Sequence, residues 1–120
     1  MSDKLRKGRI CMDEFLTYLG RHMNQIDLIC DRIEKRIEYL GELRMLLPQI
    51  NQTVTAILSL QEESPELLVL NQEFVLQVLK DLVYGIEQED DVYLLDTLRY
   101  GLLTIYGYVL DVVQRGGADE

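Results

Sequence analysis

Histidine, cysteine and proline are scarce in this chain, and each scarcity closes off a class of function. There is one histidine, His22, and there are two cysteines and two prolines in 120 residues. A lone histidine with no cysteine or second histidine at ligand spacing makes no zinc site, and no serine or cysteine is visibly paired with it as a nucleophile. His22 is therefore assigned a structural role. Cys11 and Cys30 stand nineteen residues apart in what reads as one helix. A rise of about 1.5 Å per residue separates them by roughly 28 Å, too far for a disulfide.

Basic residues are missing from most of the chain. Residues 49–120 hold three Lys/Arg against thirteen Asp/Glu, whereas residues 1–48 hold nine against eight, and the net charge is -9. A field of that sign repels phosphate backbones and argues against nucleic acid as a partner. Lys4, Arg6, Lys7 and Arg9 form a short basic arm over residues 1–10, read as a flexible, solvated tail. No apolar N-terminal run precedes a cleavage site, which predicts a cytoplasmic location.

A long uncharged apolar run is also lacking. Residues 92–113 contain eleven Leu, Ile or Val, but also Asp96, Arg99 and Asp111. At about 0.3–0.6 kcal/mol gained per aliphatic residue and about 2.5–3.5 lost per central charge, the charges win and no membrane span is expected. A helix apolar on nearly every side belongs instead in the middle of a bundle.

What is present is helical periodicity. Met12, Leu19, Ile26, Ile33, Leu40 and Leu47 recur every seven residues, with Phe15, His22, Ile29, Arg36 and Leu43 at the d positions of this coiled-coil-like pattern. Leu16, Met23, Cys30 and Ile37 widen the stripe beyond a two-stranded seam, as in a bundle. Pro48 is expected to end or kink this long first helix. Ile50, Val54, Ile57 and Leu58 continue as a short helical piece. Ser64 then reads as an N-cap with Pro65 at the first helical position, opening a helix whose buried stripe is Leu67, Leu70, Phe74, Val78, Leu82 and Ile86. The acidic run Glu87–Asp91 separates it from a last helix capped by Asp90 or Asp91 and stopped by Gly116 and Gly117. So short a connection predicts a C-terminal helical hairpin.

Two constellations are candidate contacts. Leu98, Gly101, Thr104, Gly107 and Leu110 fall along one i±3 row, a shallow groove with small residues at its centre, predicted to take a ridge of another helix from this chain or a second copy. Arg36, a cation within the seam, is matched with Asp96 as a candidate buried ion pair. The acids Glu62, Glu63, Glu66, Glu87, Glu89 and Asp90 superficially resemble those of all-helical, magnesium-dependent nucleotide pyrophosphohydrolases. That chemistry needs the first three on one face of a continuous helix, and Pro65 interrupts it. The acidic turn lacks the glycine and oxygen spacing of a calcium loop. No catalytic residue, cofactor or metal is assigned.

The segment GIEQEDDVYLLDTLRYGL, residues 85–102, resembles the helix-turn-helix signature of a group of small uncharacterised helical bacterial proteins with a Glu-Gln-x-Asp-x-Val turn and an Asp-x-x-x-Tyr pattern. The matching residues are Glu87, Gln88, Asp90, Val92, Asp96 and Tyr100. The chain departs from that pattern in carrying Gly101 where an acidic residue is more usual. The resemblance, loosely shared with flagellar export chaperones, implies a link to flagellar or surface-glycan functions.

These readings give an all-α, elongated helical bundle with a long N-terminal helix kinked near Pro48, a single domain over residues 11–115, and a tail at 116–120. The expected function is non-catalytic: an adaptor or export-chaperone-like module with a protein partner, expected to be a homodimer because the first helix carries more apolar surface than one hairpin covers. The alternatives are a self-associating structural protein and the magnesium pyrophosphohydrolase.

Overall fold

A computed structural model describes the backbone of residues 2–118 and the side chains of residues 13–115. It is an all-α helical bundle with extents of 47 × 25 × 22 Å, and no strand occurs among the described residues. The elements are α1 (Ser2–Lys35), α2 (Leu40–Glu63), α3 (Gln72–Gln88) and a final rod. That rod comprises α4 (Asp91–Asp96), a π-helical segment (Thr97–Leu102) and α5 (Leu103–Ala118). The backbone of α1 begins at Ser2, while the side chains of the basic segment 1–10, and those of the tail 116–120, lie outside the described residues. The backbone of α5 runs through Gly116 and Gly117, which do not stop it.

The break after the first helix lies at Arg36–Tyr39, twelve residues before Pro48. Arg36 adopts a left-handed conformation with φ 59°. Its N–H donates to Ile33 O at 3.1 Å, and the Ile37 N–H donates to Arg32 O at 2.9 Å. These two bonds satisfy the last carbonyls of α1 and reverse the chain, a task usually given to glycine. Pro48 lies inside α2, exposed on its surface. There it withholds a hydrogen bond from the Arg44 carbonyl on an exposed stretch where water can replace it. The heptad count survives the break but the buried face does not. Leu19, Ile26, Ile29 and Ile33 are buried before it, and Tyr39, Leu43, Leu46, Ile50, Val54 and Ile57 after it.

Ser64 does not start a helix. Its N–H donates to Leu60 O at 2.8 Å and closes α2, and its carbonyl accepts from Leu67 and Leu68 in a single turn. Asn71 is the cap of α3, accepting from the Phe74 N–H at 3.2 Å. The connection between is tied down by Gln61, which accepts from the Leu70 N–H at 2.5 Å, and by the Tyr108 hydroxyl, 3.1 Å from the Val69 N–H that donates to it. Leu68 seals it, fully buried. The buried stripe of α3 is Val75, Val78, Leu82, Gly85 and Ile86, whereas Phe74 is exposed and Leu67 and Leu70 are half-buried in the connection.

Glu89 and Asp90 alone separate α3 from α4. Glu89 repeats the left-handed reversal with φ 50°, and Asp90 caps α4 by accepting from the Tyr93 N–H at 3.0 Å. Close packing across this turn depends on Gly85. A Cβ there would lie 2.8 Å from Leu94 Cδ2 and 2.9 Å from its Cγ.

Candidate functional site

The π-helical segment reorganises the row expected to receive a helix. Between Thr97 and Leu102 the rod carries one surplus residue per turn: the Leu103 N–H donates to Leu98 O, and Thr104 Oγ1 donates to Arg99 O at 3.3 Å. Both bonds reach back five residues. The i±3 row of the sequence is thereby divided. Leu98 and Gly101 are buried, Leu110 and Gly107 are half-buried, and Thr104 is exposed. Gly101 does receive a ridge, since a Cβ placed there would meet both Val78 methyls of α3 at 3.1 Å. Gly107 receives none, with open space where a Cβ would stand. The expected groove is thus a close contact within this chain at one end and unoccupied at the other.

Arg36 and Asp96 form no buried pair. Both are exposed, Arg36 being turned outward by its left-handed backbone. The cation that ties the final rod to α1 is Arg99, whose Nη1 and Nη2 each donate to a Glu34 carboxylate oxygen at 2.8 Å. This bidentate contact holds the Glu34 carboxyl below its ordinary range and raises Arg99. Beside it, burial pushes the Cys30 thiol up to about 11, so Cys30 is a buried protonated thiol at neutral pH.

The other polar cluster lies inside the bundle. His22 on α1 is 1% exposed, and its Nε2 is 3.1 Å from the Tyr106 hydroxyl of α5. Tyr18, one turn earlier, stacks on the imidazole with centroids 5.7 Å apart and planes inclined by 11°. Thr53 of α2 donates to Gln49 O at 2.7 Å, which leaves its oxygen to share a hydrogen with the Tyr18 hydroxyl at 3.1 Å. Burial lowers the His22 pKa, with the Gln25 side chain opposing in part. Burial also raises Tyr106, reinforced by the Tyr18 phenol and opposed by Thr53. Both rings are neutral at pH 7.

Glu62 and Glu63 end α2, Glu66 lies in the following turn, and Glu87 lies at the far end of α3, with Glu89 and Asp90 in the turn beyond. No group of three His, Cys, Asp or Glu side chains converges at metal-binding distance among the described residues. No described helix is long and apolar enough to cross a membrane. At the same end of the molecule, the buried Tyr39 donates its hydroxyl to Asp91 Oδ1 at 2.5 Å and joins the two chain reversals. Burial and that carboxylate raise its pKa.

The outer side of α3 was not anticipated as a surface of interest. Leu76 and Val83 are 45% and 47% exposed, one heptad apart, with half-buried Leu79 between them and exposed Tyr84 beside Val83. Leu76, Leu79 and Val83 repeat the 3-4 spacing of a packing seam, a signal present in the sequence but masked by the competing stripe through Phe74 and Val78. Glu73 and Glu87 stand exposed at its two ends, with Lys80 between. No protein-family profile, curated protein or solved structure matches this chain.

Proposed function

We propose that this chain is a non-catalytic helical protein-interaction module, adaptor- or export-chaperone-like, that takes an amphipathic partner helix along the outer side of α3. The observation that carries the reading is the Leu76–Leu79–Val83 seam, exposed at Leu76 and Val83 and half-buried at Leu79, which flanks the buried stripe of α3. Knobs at this spacing fit between the side chains of a second helix, and burying an aliphatic side chain fully gains about 1.5–3 kcal/mol. Acids at both ends of the seam favour a partner with basic flanks. A cytoplasmic location belongs to the same proposal, as does a link to flagellar or surface-glycan functions, which rests on the resemblance of residues 85–102.

A photo-crosslinking residue placed at position 76 or 83 in cells tests it, with position 52 on the exposed side of α2 as the control. Adducts to a distinct protein from 76 and 83, but not from 52, are expected. An adduct of twice the 14.0 kDa chain assigns the face to a second copy and favours the self-associating structural reading. Equal yields at all three positions overturn the assignment of this face.

A further inference from the structure

The buried imidazole invites a question that the outer face of α3 does not answer. His22 and Thr53 are the buried polar side chains of the described core, and only His22 keeps an atom without a hydrogen-bond partner, Nδ1. A leucine or phenylalanine at this d position would satisfy the packing without stranding a nitrogen. The neutral ring is tolerated because one nitrogen meets the Tyr106 hydroxyl and the face lies on Tyr18.

The protonated ring is not accommodated. An imidazolium carries two N–H donors; the Tyr106 hydroxyl faces one and the Gln25 amide compensates the charge in part, but neither supplies a counter-charge. The groups that face it are the Tyr18 phenol and Gln25 amide from α1, the Thr53 hydroxyl from α2 at one remove, and the Tyr106 phenol from α5. None is a carboxylate. The charged side chains nearest in sequence on α1, Arg21, Glu14 and Asp27, are exposed. A cation at this depth has no counter-ion among the described residues and is closed off from bulk solvent unless the helices part. We propose that His22 is an acid sensor: while neutral it keeps α1 docked against α2 and α5, and when protonated it releases that seam.

The sign follows from burial. The folded pKa of His22 lies below its unfolded value of about 6.5, so the unfolded or opened chain binds the proton more readily. The ring's contribution is fully present above that value and is lost as pH falls below it. The opening constant therefore rises as pH falls from 7.5 to 5.5, by at most about tenfold, the limit set by protonation of the unfolded imidazole. His22→Gln keeps every carboxylate of the parent, so the difference between the two isolates the imidazole. Because the chain has one histidine, the two ring C–H resonances of that imidazole report the site without overlap from another.

The test is urea unfolding of the full chain at both pH values, for the parent and for His22→Gln, together with proton NMR of the parent imidazole from pH 8 to 5. Expected are a rise of several-fold, up to about tenfold, in the parent unfolding constant, a change within about twofold for His22→Gln, and a folded-state imidazole whose midpoint lies below the free value of about 6.5. Amides of α1 and α5 around residues 19–26 and 103–109 should lose exchange protection together at the lower pH. An imidazole that titrates at or above about 6.5 in the folded chain overturns the proposal, and so does equal pH dependence in parent and variant. If His22→Gln does not fold, the parent resonance and the exchange data decide by themselves.

Discussion

Single residues in this bundle are read through what their backbone and Cα are asked to do. Gly85 and Gly107 both sit inside helices, where glycine costs about 1 kcal/mol relative to alanine, yet their surroundings are opposite. Gly85 faces the fully buried Leu94 and has no room for a methyl, whereas Gly107 has nothing within 4 Å of where one would go. Gly85→Ala should therefore destabilise by about 1–2 kcal/mol, overpacking outweighing the gain in propensity. Gly107→Ala should stabilise by up to about 1 kcal/mol. Urea midpoints of the two variants check this, and a shift of the same sign in both would show that the space around these glycines does not control their stability. Arg36 and Glu89 make the complementary point, occupying left-handed positions that a glycine would fill with less strain. Neither announces a helix end in the sequence, because the signal sought there is glycine.

At the scale of elements, the π-helical segment is the feature that sets the faces of the final rod. One surplus residue between Thr97 and Leu102 lets Leu94 and Leu98 face the core before it and Ile105, Tyr106 and Val109 face it afterwards. Removing the surplus should leave both faces in place. Deletion of Tyr100, which is 73% exposed, is expected to keep cooperative folding within about 1 kcal/mol of the parent. Deletion of Gln77 in α3, which has no such slack, turns Val78, Leu82 and Ile86 by about 100° and should abolish the cooperative transition. Circular dichroism melts of the two deletions decide, and comparable damage in both would deny the segment this role.

The same elements show what was legible beforehand. Helix content, the acidic turn and a cap at Asp90 or Asp91, of which the structure uses Asp90, could be read because periodicity and capping act locally. The break at Arg36–Tyr39 could not, since Ile33 and Leu40 keep a seven-residue spacing across it and no Gly or Pro marks it. Ser64-Pro65-Glu66 carried the chemistry of a helix start but forms one turn that goes no further. In the candidate site, the depth of His22 followed from its d position, whereas its partner Tyr106 is 84 residues away and is placed by tertiary packing. Arg36–Asp96 failed for a related reason: the pairing assumed a continuous first helix, and the reversal turned Arg36 out of the seam.

At the scale of the whole molecule, 21 acids against 12 bases leave a surplus that compact folding brings together. Exposed pairs such as Lys35–Asp31, Arg32–Glu42 and Arg115–Asp111 offset it weakly, each contributing about 0–1 kcal/mol. Raising salt from about 0.01 to 0.1 M shortens the screening length from roughly 30 to 10 Å, so it weakens the many distant repulsions more than the few close attractions. The thermal midpoint should rise with sodium chloride, and a fall would place the balance with the pairs. The two reversals at one end of the bundle, at 36–39 and 89–90, meet through the Tyr39 hydroxyl and Asp91. A protease that severed the backbone between Ile37 and Glu38 would accordingly produce fragments that travel as one particle until a denaturant is added, because side chains along the length of α1, from Leu19 to Glu34, grip the remainder without the help of the severed link.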